Sequence, residues 1–391
     1  MRIVSKTLAA ATAAAAITAL AAAPALADPP AGVTPKPTDV VGVGSGTMQY
    51  VFDQFSHDYN ATHSTGRLYS FDATNPATGA VHDPIQTKSG STNCSIVRPD
   101  GSLEGVTALV NTLKTTSGQP CVDFARSTLA RVSPELAPPG WVELAGDAVT
   151  VATQPGSSAP ANLTNPELNG IYSCMITNWS GVGGSNAPIS AFLPQNGSET
   201  RAFFLSAIGL TAPGPCVSTS ATKPGAAGAN DNTLQENEGV APSLNTNKAD
   251  VIVPFSVANW IAEHFHSASC GTIASCYAHP GNCHPAAGQN LFGCNTHGTM
   301  VLNQINGTAP TTGTGKATMI NPGFTPLFTH VVSEVVNALP GSIPAYLQPY
   351  FGPNGWTCAS AVARADLRNY GFLVLPNTGG PGTCGYAPPP P

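Results

Sequence analysis

Charge is what this sequence has least of. Asp, Glu, Lys and Arg make up 9% of its 391 residues, with 15 basic side chains against 21 acidic ones and a formal net charge of −6. So thin a scatter of Lys and Arg provides no patch from which nucleic acid could release counterions, so nucleic acid is excluded as a partner. No apolar run beyond the first 27 residues is long enough to span a bilayer. There is no Gly-x-Ser-x-Gly elbow, and no histidine is tied to a serine by a local motif, which argues against a hydrolase and for a non-enzymatic protein. No cofactor motif is recognisable, and no repeat of solenoid period occurs.

What is present begins with a leader. Arg2 and Lys6 precede a long Ala-rich run, and Ala25-Leu26-Ala27 before Asp28 reads as a small-residue cleavage site. Pro24 interrupts the run, which argues against a membrane anchor, and no cysteine lies at the cleavage site to carry a lipid. The mature chain is expected to be secreted, monomeric and without a transmembrane span. Loss of Arg2 and Lys6 takes its net charge to −8.

All ten cysteines follow the leader, and an exported compartment favours disulfides. Their spacing suggests the local pairs Cys94–Cys121, Cys174–Cys216 and Cys358–Cys384, with Cys270, Cys276, Cys283 and Cys294 pairing among themselves. His264, His266, His279, His284 and His297 around the last four invite a zinc reading. The spacing C-x5-C-x6-C-x10-C lacks tight Cys pairs, so the loop over 264–297 is read as disulfide-stapled, with no metal. "LPNTG" at 375–379 matches a sortase motif but lacks the apolar span and basic tail, and is read as a turn near Cys384.

Residues 28–39, "DPPAGVTPKPTD", form a Pro-rich spacer expected to be extended or disordered. Strand-like and helical segments then alternate. "DVVGVG" leads through a Gly-Ser-Gly-Thr turn to "MQYVFDQFSHDYN", "CSIVRPDGSLEGVTALVNTL" repeats strand, turn and helix, and "CVDFARS" is a third short strand. "WVELAGDAVTVATQ" reads as one long β segment and "ADVIVPFSVANWIAEHF" as a strand entering a helix. Residues 211–250, rich in Gly, Ala and Asn, resist assignment. Strands and helices in alternation indicate an α/β architecture with a largely parallel sheet.

Four strand-to-helix turns share one chemistry: Ser45-Gly46-Thr47, Arg98 to Ser102, Arg126-Ser127-Thr128, and Gly197-Ser198-Glu199-Thr200-Arg201. A helix start leaves backbone N–H groups unpaired and carries partial positive charge. Glycine lets a ligand approach that backbone, and Ser and Thr hydroxyls add donors. Several such turns meeting at one point would hold a tetrahedral anion, with Arg98, Arg126 and Arg201 available for bidentate contacts. The competing reading is plain N-capping, with Asn196 and Glu199 spaced as a capping box.

In this order and spacing the segments resemble the phosphate-binding proteins of ABC uptake transporters, within the type II periplasmic-binding-protein fold. The likeness runs over most of residues 40–375 and rests on "VGVGSGTMQYVFDQF", "RPDGSLEGV", "CVDFARS", "DAVTVATQ…NLTNPELNGIYSCMITNW", "NGSETR" and "QINGTAPT…TPLFTHVV". It implies two lobes, one of residues 40–147 plus 250–391 and the other of 148–249. Each would be a mixed, mainly parallel sheet flanked by helices, with the ligand in the cleft between them. It also implies capture of an oxyanion, phosphate first, for an ABC permease. An exported binder without a transporter, acting in adhesion or sensing, is the alternative, with a phosphatase behind it. The implied ligand contacts are Ser45, Gly46, Thr47, Ser102, Arg126, Ser127, Gly197, Ser198, Thr200 and Arg201. The chain departs from the family pattern at four places, one of them Arg126, which stands where relatives often have a small residue. Thr128 stands where relatives have an Asp that accepts a phosphate proton, Glu199 replaces the middle Gly of the fourth turn, and Pro194 replaces an Arg. Asp72 is a candidate substitute acceptor.

Overall fold

A computed structural model describes residues 28–388 apart from 31, 77, 129–138, 222–231, 246 and 267–295. β1 (Val40–Gly44) is buried along its whole length, as expected of a strand covered on both faces. It runs parallel to β2 (Leu68–Ser70) on one side and to β5 (Phe124–Ser127) on the other. The crossover between β1 and β2 is α1 (Gln49–Thr62), which buries Val51, Phe52, Phe55 and Tyr59 on one face. Phe52 meets Phe124 with ring centroids 5.3 Å apart, which locks the helix to the sheet. The hairpin of β3 (Pro84–Gln86) and β4 (Ser95–Val97) leads into α2 (Ser102–Val110), and the Cys94–Cys121 disulfide ties it to the approach to β5.

The long segment predicted over 141–154 is β6 (Gly140–Thr153), buried at all but one position. Next come β7 (Asn162–Leu163), α3 (Asn165–Tyr172), β8 (Ser190–Ala191) and α4 (Glu199–Ala207). α3 starts with a full capping box between Thr164 and Glu167. α5 (Val240–Asn245) precedes β9 (Val251–Ser256), which passes directly into α6 (Val257–Phe265) as predicted. Beyond α6 lie β10 (Val301–Leu302), β11 (Gln304–Ile305), the hairpin of β12 (Thr311–Thr312) and β13 (Met319–Ile320), then β14 (Thr329–Val336). A helix over Ala361–Asn369 and β15 (Leu373–Val374) close the fold.

The central sheet is mixed, in the order β2-β1-β5-β14-β6-β9-β8, with β10 and β15 also paired to β6. Parallel pairs stand at its two ends, while β14 and β6 in the middle run antiparallel to their neighbours. β6 is the common element. Its residues Gly140–Ala148 pair with β14 and its residues Val149–Ala152 pair with β9. Asp147 marks the change of partner: it accepts from Ala148 N, Ser256 Oγ and Ala258 N, and so ties β6 to the start of α6.

Cys174–Cys216 and Cys358–Cys384 are bonded as expected. Cys270, Cys276, Cys283 and Cys294, and with them His279 and His284, lie outside the described residues. Cys384 N donates to Pro376 O, which closes the "LPNTG" segment as a turn. The N-terminal spacer departs from expectation, because its described part is docked. Lys88 Nζ donates to Pro37 O, Ser89 N donates to Pro35 O, and Asp28 pairs with Arg98. Proline carbonyls remain free acceptors, so a Pro-rich segment is easily held by donors from elsewhere.

Candidate functional site

The turn before α1 depends on Gly44. Its φ of 116° lies outside the range open to other residues, and a Cβ there would meet Arg126 O at 2.6 Å. Gly101 does the same before α2, with φ 119° and a would-be Cβ 2.8 Å from Gly197 O. These close approaches bring the starts of α1, α2 and α4 to one place. Ser45, Thr47, Ser102, Ser198 and Thr200 are all buried there. Thr47 Oγ1 and Thr200 Oγ1 lie 3.3 Å apart although 153 residues separate them.

Two carboxylates occupy this junction. Glu236 Oε2 accepts from Thr47 N at 3.1 Å and Thr47 Oγ1 at 2.8 Å, at the turn before α1. Its Oε1 accepts from Ser198 Oγ at 2.7 Å and Thr200 N at 3.3 Å, at the start of α4. Glu199, on α4, reaches across to α2 and accepts from Ser102 N and Leu103 N, both at 2.8 Å. Each carboxylate sits where helix dipole and unpaired N–H groups favour negative charge. Burial, then the charge of Glu236, pushes the Glu199 carboxyl up to about 8, against the pull of its α2 donors. Asp100 belongs to the same surroundings, with Gln195 and Gln235 donating to its two oxygens, and burial raises it to about 6.

The N-cap of α4 is Ser198, whose Oγ accepts from Arg201 N at 3.1 Å. The capping box read between Asn196 and Glu199 is therefore replaced. Glu199 sits in the first turn and caps a different helix, because the N–H groups of α2 lie within its reach. Ser102 Oγ accepts from Thr128 N at 3.1 Å, so the third turn supports the second. Ser127 is buried at the end of β5 opposite Ser333 of β14, and Gly46 and Gly197 are half-buried at their turns. Ser45 Oγ is fully buried with no partner among the described residues. A buried orphan hydroxyl of this kind is rare in folded proteins.

The arginines are directed elsewhere. Arg126 is fully buried; its Nε donates to Ser45 O and its Nη2 to Gly44 O, at 3.1 and 2.9 Å, and Nη1 donates to Ser70 Oγ. It braces the first turn from behind, and burial draws its guanidinium down to about 10. Arg98 is held by Asp28 and Asp83, and Arg201 donates to Pro194 O at 2.9 Å. Asp72 lies in a separate buried cluster with Asp28, Asp53 and Arg98. Glu236 was missed by sequence reasoning. The available signal was an acidic pair, Glu236 and Glu238, inside a stretch otherwise poor in charge.

A family model described as a PBP superfamily domain matches residues 29–254. Comparison with curated proteins gives no match. Among solved structures, a Clostridium perfringens protein with bound phosphate is similar at 13% identity, covering 86% of this chain and 99% of its own, with a TM-score of 0.48. An ABC-type phosphate transport receptor from Vibrio cholerae follows at 15% identity, covering 86% and 100%, with a TM-score of 0.45. PstS from Borrelia burgdorferi has 15% identity, 86% and 98% coverage, and a TM-score of 0.42. No helix among the described residues is long and apolar enough to cross a membrane.

Proposed function

The chain belongs to the PBP superfamily, and from that membership we propose that it is a secreted solute-binding protein that captures an inorganic oxyanion, phosphate first, where α1, α2 and α4 begin. One observation carries this reading: donors from three helix starts meet at a single buried junction and are satisfied there by carboxylate oxygens. A group of donors that holds four carboxylate oxygens suits the oxygens of a tetrahedral anion for the same electrostatic reason. Ser45, Thr47, Ser102, Ser198 and Thr200 are the ligand-facing set in this reading. Arg126 acts as a brace for the first turn.

Residues 40–147 with 250–391 form one lobe in this proposal, and 148–249 the other, with β6 and β9 crossing between them. Glu199 to α2 and Glu236 to the turn before α1 then both reach from the second lobe to the first and close the cleft, and the ligand enters as Glu236 withdraws. Binding is a hinge motion rather than a reaction, with no enzymatic step. An ABC permease is the partner that such a binder would supply.

A thermal-shift panel on protein unfolded and refolded to strip carried-over anions tests the reading. Millimolar phosphate is expected to raise Tm, with sulfate giving a smaller shift or none. No response to phosphate, arsenate, sulfate or molybdate would end the oxyanion reading.

A further inference from the structure

Away from the junction, a cavity of about 300 Å³ lies between the N-terminal segment and α1. Asp28, Pro30 and Val33 form one wall, and Asp53, His57 and Asn60 another. Asp28 is fixed there with unusual care. Its carboxylate accepts from Nη1 and Nη2 of Arg98, both at 2.8 Å, and from Asp72 N at 2.7 Å.

The charges nearby do not balance. Among the described residues Asp28, Asp53, Asp72 and Asp83 are set against Arg98 and Arg126, with Arg67 and His57 also lining the cavity. Asp53 and Asp72 share a side-chain hydrogen bond, yet Asp53 Oδ2 and Asp72 Oδ1 have no partner among the described residues. Both side chains are more than nine-tenths buried, and Asp53 lines the cavity. Two adjoining buried carboxyls resist ionising together unless a cation or a proton sits with them. Burial and the Asp28 charge accordingly push Asp72 up to about 7, and burial and Asp72 raise Asp53 well above the usual carboxylate range.

We propose that the missing cation is the chain's own α-ammonium group at Asp28, freed by removal of the leader after Ala27 and bound by the Asp53–Asp72 pair. The step is a hydrolysis. Water adds across the Ala27–Asp28 peptide bond under a leader peptidase, Ala27 leaves as a carboxylate, and Asp28 keeps the nitrogen, which takes up a proton. Before cleavage that nitrogen is a neutral amide with one donor; afterwards it is a cation with three. Asp28 is already clamped at the wall of the cavity that Asp53 also lines. Maturation would thus leave a signature in the fold that the precursor lacks.

The test uses protein exported and processed from the full-length precursor. Mass spectrometry is expected to place the first residue at Asp28. In native protein at neutral pH, acylation of that amine should be at least tenfold slower than in a chain carrying Gly-Ser ahead of Asp28, and Asp53→Asn should restore its reactivity. The Gly-Ser extension should lower Tm by roughly 2–4 °C, and Asp53→Asn should remove the difference between the two chains. A mature terminus at another residue, or an Asp28 amine as reactive as that of the extended chain, overturns the proposal. Should Asp53→Asn fail to fold, the labelling comparison of the processed chain and the Gly-Ser chain still decides.

Discussion

Glu236 satisfies four donors from two helix starts with one carboxylate, and in the proposed function it competes with the ligand for all of them. Removing its charge should therefore help the ligand. Glu236→Gln is expected to tighten phosphate binding about tenfold, a change of about 1.4 kcal/mol, as read by titration calorimetry. Weaker binding would instead make Glu236 part of the ligand's own contact set. Gly101, like Gly44, is a residue that geometry protects here. Gly101→Ala combines a φ of 119° with a Cβ 2.8 Å from Gly197 O, and should cost about 1–3 kcal/mol in urea unfolding. The serine and threonine turns were legible in the sequence because helix starts have a local signature. Glu236 was not. Its segment has no periodicity, and its partners Thr47 and Ser198 lie 189 and 38 residues away.

Elements here are joined by buried polar pairs as much as by apolar faces. Lys88, beyond β3, pairs with Asp123, just before β5, at 2.7 Å with both side chains 1% exposed. Asp123 also accepts from Val41 N of β1, so one carboxylate joins the hairpin to two parallel strands. Lys88→Ala would leave that carboxylate buried and unpaired, and should destabilise the protein by about 3–5 kcal/mol in denaturant titration. Removing the exposed His57–Asp58 contact should change little by the same measurement. β6 was readable as a single strand because its apolar run is long and β-rich. β14 could not be told from a helix in "TPLFTHVVSEVVNAL": a strand covered on both faces loses the alternation that identifies it. Strand order was not readable at all, since β14 pairs with strands formed some 200 residues earlier.

For the molecule as a whole, buried acids set the pH response. Burial lifts Glu199, Glu263 and Glu334 to about 8 and Asp147 to about 6. A carboxyl raised in the folded state contributes stability that is full below its unfolded value near 4 and is lost as pH climbs through the folded value. His297 and His330 act in the opposite sense. Burial lowers them to about 3 and about 4, so their contribution is lost as pH falls from about 6.5. Tm is expected to be higher at pH 6 than at pH 8.5, with the two histidines flattening any further gain below pH 6; a Tm that rises toward pH 8.5 would contradict this. The carboxylate seated among the helix starts also bears on speed. On the proposed function, a ligand that meets this molecule finds its place taken, so binding is an exchange. Capture would be timed by how often Glu236 lets go, and the observed association rate would level off as phosphate concentration rises, instead of climbing with every collision.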